Sequence, residues 1–202
     1  MYTRAARVRS ALLRWYGRRG RDLPWRRTRD PYAILVSEVM LQQTQVARVL
    51  TAYERFLRRF PTPRALAAAA LGDVLREWSG LGYNRRARDL QRAARAAPDG
   101  LPGDVAGLDA LPGIGPYTAG AVACFAYGAP AAFADTNIRR VLGRVFLGRT
   151  ASLAEAVALD RSLLPRRAAD RWHHALMDLG AACCRARAPR CGECPLRALC
   201  RS

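Results

Sequence analysis

The chain has 202 residues, half of them hydrophobic, with 34 basic residues against 16 acidic ones and a formal net charge of +18. That length allows one compact unit or two small lobes around a real core, and no apolar run approaches the ~18 uncharged residues that a membrane helix needs. The charge points to an anionic partner, with nucleic acid ahead of membrane. Every basic residue is arginine, for the sequence contains no lysine. A compositional bias toward arginine explains the missing lysine but not the shortage of acid. The stretch from Met1 to Arg21 is too charged for a signal peptide, so a cytoplasmic, nucleoid-associated location is expected.

The pattern is helical almost throughout. Asp30-Pro31 opens a helix running from about Tyr32 to Phe60, broken near Thr44 and closed by Pro61 and Pro63. Leu66 to Trp78 predicts another, followed by a Gly80-Leu81-Gly82 turn and a helix from Arg85 to Ala97. Pro98, Gly100, Pro102 and Gly103 punctuate the chain before a short helix at Asp104 to Leu108. Leu111-Pro112-Gly113-Ile114-Gly115 is a tight turn ahead of an Ala-rich helix from Tyr117 to Tyr127. No run of alternating β-branched residues occurs, so the expected class is all-α.

Five of the six cysteines fall between Cys183 and Cys200. Cys184, Cys191, Cys194 and Cys200 lie close enough in sequence to converge on one inorganic centre. A single CxxC flanked by uneven spacings favours a [4Fe–4S] cluster over zinc, which is usually held by two CxxC pairs. Cys124, in an apolar helix, reads as a packed core thiol. The LPGIG turn offers successive backbone N–H groups at a helix N-terminus. That is a nest for a phosphate, or equally an ordinary turn between helices.

Two acids stand out. Glu38 lies in the apolar stretch Ile34 to Leu41, where an unpaired carboxylate is costly to bury. Asp135 precedes Thr136-Asn137 and could cap a helix. The plain readings are a paired core carboxylate and an N-cap. A pair of carboxylates also suits cleavage of an N-glycosidic bond, one protonating the leaving base and the other stabilising the oxocarbenium-like sugar. The polar run Gln42-Gln43-Thr44-Gln45 could fill the space left by an extruded base, or be a solvated helix turn.

Arg21-Asp-Leu-Pro-Trp-Arg26, Asp30-Pro-Tyr32, Ser37-Glu-Val-Met-Leu-Gln-Gln-Thr-Gln-Val46, Gly80-Leu-Gly-Tyr83, Leu111 to Gly120, Met177-Asp-Leu-Gly180 and the cysteine series together resemble MutY-type adenine DNA glycosylases. These belong to the helix-hairpin-helix (HhH-GPD) superfamily. The resemblance runs from about Arg21 to Cys200. It implies a six-helix barrel over residues 19–129, and a cluster lobe made of residues 1–18 and 130–202. It implies Glu38 as the acid that protonates adenine, Asp135 as support for the sugar cation, and Tyr117 where bifunctional relatives place a Schiff-base lysine. Arg21, Leu23, Trp25, Leu41 and Val46 match residues lining the base pocket. Gln43 and Tyr83 match those that insert into the duplex or contact the opposite base, and Gln42 is expected among the DNA-binding residues. Leu111, Gly113, Gly115, Arg85 and Arg187 are expected at the DNA backbone, with Arg185 and Arg190 on the cluster loop beside them.

The expected partner is double-stranded DNA with a mispaired or damaged base, bound by a monomer without membrane contact. Without lysine, a β-lyase step through an imine has only the N-terminal amine as nucleophile, so a monofunctional enzyme is expected. The sequence stops two residues after Cys200, where MutY enzymes usually continue into a domain that recognises 8-oxoguanine; the resemblance is to a short form. It departs from the family pattern at Asn84, where a second aromatic is common, and at Thr136, where glycine is common. Two other readings are a thymine or uracil glycosylase acting on G·T and G·U pairs, and a non-catalytic DNA-binding sensor of damage or redox state.

Overall fold

The computed structural model describes residues 3–202. Eleven α-helices follow one another among them: α1 (Arg4–Arg19), α2 (Pro31–Leu41), α3 (Val46–Arg59), α4 (Pro63–Ala68), α5 (Leu71–Glu77), α6 (Arg85–Ala96), α7 (Val105–Asp109), α8 (Pro116–Tyr127), α9 (Thr136–Leu147), α10 (Leu153–Leu163) and α11 (Ala169–Ala182). Short 3₁₀ turns lie at Pro24–Arg26, Cys191–Glu193 and Arg197–Leu199, and the described residues contain no strand. The chain divides into two compact units, Leu23–Ala129 and the flanking stretches up to Asp22 and from Pro130.

In the first of these, α2 is the axis. Asp30 caps it by accepting from the Tyr32 N–H, Pro31 fits its first turn, and every side chain from Tyr32 to Met40 is buried. Such burial needs neighbours all round, and α2 packs on α3, α6, α8 and the Pro24–Arg26 turn. By contrast, α3 buries one stripe, Val49, Ala52, Tyr53 and Phe56, at the three- and four-residue spacing of an amphipathic helix. Phe56 meets Phe60 and Trp78 edge-to-face, with ring centroids 5.1 and 5.8 Å away. Removing such a ring typically costs about 3–5 kcal/mol.

The expected continuous helix from Leu66 to Trp78 is two helices, α4 and α5, parted by extended backbone at Ala69 and Ala70. The cause lies elsewhere in the chain. Buried Gln91 of α6 donates to the carbonyls of Leu66 and Ala69 (3.1 and 2.8 Å), and Arg95 donates to that of Ala67 (3.1 Å). These bonds satisfy the last carbonyls of α4, which can therefore stop without a glycine.

In the other unit, α9 packs on α10 and α11, and α11 on α1. Its centre is polar but fully satisfied. Buried Asp160 accepts from Trp172 Nε1 (2.7 Å) and from the Phe133 N–H (3.2 Å), and lies 2.8 Å from His173 Nε2. The Phe133 ring stacks on His173 at 3.9 Å. The segment leading to Asp135 is thus anchored two residues before it.

Candidate functional site

Glu38 lies within the buried face of α2, and only 6 % of it is exposed. The helix continues three residues to Leu41, half-buried at its end, and then breaks. Gln42 follows with its amide 3.5 Å from the hydroxyl of Thr118, in the first turn of α8 next to half-buried Tyr117. Leu23 and Trp25 are buried at the 3₁₀ turn packed on α2. Trp25 meets Tyr53 edge-to-face at 5.3 Å, and burial pushes the Tyr53 hydroxyl up to about 12. Val46, half-buried, opens α3. Within this unit, therefore, Glu38, Leu41, Leu23, Trp25, Val46 and Tyr117 sit on elements that pack around α2 or begin where it ends.

Two side chains project from strained backbone. Gln43 has φ +55° and Tyr83 φ +50°, both in the left-handed region that a non-glycine residue occupies at a cost of order 1–3 kcal/mol. Both are exposed, Tyr83 to 63 %, which is unusual for a large ring. Asn84 is exposed beside it. The segments carrying them are joined by Arg86, which sequence reading passed over in favour of Arg85. The Arg85 side chain is largely exposed and faces Asp89 at 3.5 Å, whereas Arg86 spends its guanidinium on backbone carbonyls.

The LPGIG turn connects α7 to α8. Gly113 has φ +77°, and a Cβ there would stand 2.4 Å from the Asp89 Cβ. Glycine is required for both reasons. Leu111 and Ile114 are buried, closing the turn through the Ile114 N–H to Leu111 carbonyl bond (3.1 Å). Gly115 caps α8 in extended backbone with open space around it. The N–H groups of the first turn of α8 are thereby left at the surface end of a twelve-residue helix.

In the other unit, Asp135 is the N-cap of α9. Its Oδ1 accepts from the Ile138 N–H (2.7 Å) and its Oδ2 from the Asn137 amide (2.8 Å). Arg140 in turn donates to Asn137 Oδ1 (2.7 Å) and to the carbonyls of Gly180 (2.9 Å) and Cys184 (2.6 Å). A Cβ on Gly180 would stand 2.6 Å from the Asn137 Cβ, so α9 and α11 pass close to one another here. Arg21 is fixed by Asp178 of α11, which takes its backbone N–H (2.8 Å) and its Nε (2.7 Å). Asn137, Arg140 and Asp178 were not singled out as sites from sequence. Arg140 reaches the Gly180 and Cys184 carbonyls 40 and 44 residues away, and Asp178 reaches Arg21 157 residues away, so no local pattern marks them.

Cys184, Cys191, Cys194 and Cys200 line one cavity of about 60 Å³ with Val141, Val145 and Leu179, and all are free thiols. No three His, Cys, Asp or Glu side chains among the described residues are set to hold one metal ion. What the four thiols surround is a space, which suits a multi-iron cluster. Arg144 lines it too, its Nη1 3.5 Å from Cys184 Sγ and 2.7 Å from the Arg185 carbonyl. Burial pushes the Cys194 thiol up to about 11. The donor set fits the group. Arg185 donates to the Ala188 carbonyl (3.0 Å), while Arg187 and Arg190 are exposed on the same loop.

Residues 36–166 match the model described as HhH-GPD superfamily base excision DNA repair protein. The chain belongs to that family. Residues 184–200, bounded by the first and last of the four cysteines, match the iron–sulfur binding domain of endonuclease III, so this HhH-GPD protein carries a [4Fe–4S] site. It is 51 % identical over 195 residues to the adenine DNA glycosylase of Mycobacterium tuberculosis, covering 92 % of this chain and 64 % of that protein. The chain thus spans somewhat under two thirds of that relative's length. Its fold matches a thermostable thymine-DNA glycosylase with TM-score 0.91 at 30 % identity, covering 98 % and 95 % of the two chains. It also matches a non-covalent endonuclease III–DNA complex with TM-score 0.83 at 28 % identity, covering 100 % and 96 %. No helix among the described residues is long and apolar enough to cross a membrane.

Proposed function

We propose that this chain is a monofunctional DNA glycosylase that hydrolyses the N-glycosidic bond of adenine mispaired with 8-oxoguanine or guanine. The observation that carries the reading is Glu38. It is a carboxyl group buried on the helix that leads, within five residues, to the exposed and strained Gln43. A carboxyl group enclosed in this way is kept from bulk water and suits a general acid acting on an extruded base. The adenine-specific name of the mycobacterial relative supports the choice of base.

In this reading Gln43 and Tyr83 enter the stack, Gln42 binds the DNA beside them, and the base is received by Leu23, Trp25, Leu41 and Val46, with Arg21 matched to the same role. Glu38 protonates the adenine ring and the glycosidic bond breaks. Asp135, its carboxylate oriented by the Ile138 N–H and the Asn137 amide, stabilises the sugar cation until water adds. Tyr117 lies against the sugar and offers no amine, so an intact abasic site is left. Leu111, Gly113 and Gly115 present the α8 N–H groups to a phosphate, and Arg85 and Arg187 add charge. The cluster, held by Cys184, Cys191, Cys194 and Cys200, cross-links the loop that bears Arg187.

A second reading, excision of thymine or uracil opposite guanine, is favoured by the fold match to a thymine-DNA glycosylase. Single-turnover excision on four duplexes decides between them: A opposite 8-oxoguanine, A opposite G, T opposite G and U opposite G. Release of adenine alone supports the proposal. Release of thymine or uracil alone overturns it.

A further inference from the structure

Six oxygens from two separate stretches of chain converge on one guanidinium. Arg86 Nη1 donates to the carbonyls of Val39 (2.9 Å), Met40 (3.0 Å) and Gln42. Its Nη2 donates to the Thr44 hydroxyl and to the carbonyls of Leu81 and Gly82, all at 3.1 Å. The cation lies 5.6 Å from the centre of the Trp78 ring and 5.4 Å from that of Tyr83. Its Nε is buried with no acceptor, the cost of holding the fork in this one orientation. Two of the five carbonyls, those of Val39 and Met40, are C-terminal groups of α2 that no later turn of the helix can satisfy.

Each stretch leads to one exposed non-glycine residue with positive φ, Gln43 in the first and Tyr83 in the second. Local bonds flank both, from the Thr44 N–H to the Leu41 carbonyl (3.3 Å) and from the Arg86 N–H to the Tyr83 carbonyl (2.9 Å), but neither residue is glycine, so each holds its positive φ at a cost. Thr44 adds another link between the stretches, its hydroxyl 3.3 Å from the Leu81 carbonyl. Lysine could not replace the fork, because its three donors sit on one nitrogen whereas here two separate nitrogens, Nη1 and Nη2, serve the two stretches.

We propose that Arg86 is a positioning residue that fixes Gln43 and Tyr83 at set spacing, as two rigid prongs that unstack the target base pair. The proposal rests on the glycosylase reading above and deepens it. Pushing a base from the stack needs prongs stiffer than the stack itself; two loops free to slide would yield instead. Arg86 touches neither the base nor the sugar in this scheme and acts through the two residues it holds.

The test is stopped-flow fluorescence with 2-aminopurine placed next to the target base, in duplexes carrying A opposite 8-oxoguanine and T opposite G. Arg86→Lys is expected to slow the rise in fluorescence by about ten-fold or more, with duplex affinity within about three-fold of wild type. In a Gln43→Gly/Tyr83→Gly background, which tolerates the positive φ, Arg86→Lys is expected to add no further loss. A wild-type rate in Arg86→Lys, or a full additional loss in the glycine background, overturns the proposal. Should Arg86→Lys fail to fold by circular dichroism, Thr44→Val removes one acceptor from the cage and is expected to slow unstacking partially; an unchanged rate overturns the proposal. If wild type unstacks and excises only at T opposite G, the adenine reading falls and Arg86 is judged on that duplex. If wild type binds both duplexes and unstacks neither, both readings fall.

Discussion

At the scale of single residues, burial and backbone conformation separate the candidates. Glu38→Gln keeps the size and removes the proton that the acid would supply. Single-turnover excision is expected to fall by three orders of magnitude or more, the upper range for a general acid on a poor leaving group, with duplex affinity nearly unchanged. Retained excision in a gel assay removes Glu38 from the chemistry. Gly113→Ala tests the hairpin in a different way. Its methyl would press into Asp89 from 2.4 Å, at φ +77°. A loss of about 1–3 kcal/mol in stability and weaker duplex binding are expected, read by thermal melting and fluorescence anisotropy. Wild-type values in both would mean that the turn shifts freely and holds no phosphate. These two residues stand out in the sequence, Glu38 as an acid in an apolar run and Gly113 inside LPGIG. Arg86 and Asp178 do not, since one arginine among 34 basic residues carries no mark until its partners are known.

At the scale of elements, start signals are local and stop signals often are not. Asp30, Asp104, Asp135 and Ser152 each cap the helix that follows with their own side chains. The start of α10 is a reciprocal capping box between Ser152 and Glu155, and Arg149 also binds the Glu155 carboxylate (2.6 Å). These bonds hold the Glu155 carboxyl down from 4.5 to about 2. Because its folded value is the lower one, its contribution to stability is present above about pH 4.5 and is lost as pH falls toward 2. Melting curves of wild type should therefore drop through that window by more than those of Glu155→Gln; parallel curves would remove the pair from the stability of α10. The end of α4 is of the other kind. Gln91 and Arg95 of α6 satisfy its carbonyls, so the gap at Ala69–Ala70 has no signature among the alanines that form it.

At the scale of the whole molecule, charge and the cluster loop set the expected behaviour. An arginine-rich chain of net charge +18 that binds a duplex releases condensed counterions. The logarithm of its affinity should fall linearly with the logarithm of salt, with a slope of about −0.9 per phosphate neutralised. A flat salt response in anisotropy titrations would contradict phosphate contacts by the hairpin and the cluster loop. Cys194→Ser removes one thiol from the cavity wall. The visible absorbance of the cluster and the yield of folded protein are both expected to fall. Since Arg140 bonds both the Cys184 carbonyl and Asn137, Asp135 is held from the same loop. An unchanged visible spectrum in Cys194→Ser would exclude that cysteine as a ligand.

The sequence by itself determined the all-helical class, the family and the presence of an iron–sulfur motif, and it marked the capping acids. Each of these is written in local spacing: a 3.6-residue period, a CxxC, an acid ahead of a helix, a glycine in a turn. Tertiary structure alone decided that α2 is enclosed on every side, that α4 stops at Ala68, and that Asp178 holds Arg21. It also decided that Asn137 and Arg140 tie Asp135 to the Cys184 carbonyl, and that Arg86 joins two strained loops. The physical reason is common to all of them. A buried carbonyl, carboxylate or guanidinium must find a partner, and wherever that partner lies tens of residues away only the folded chain shows which one it is.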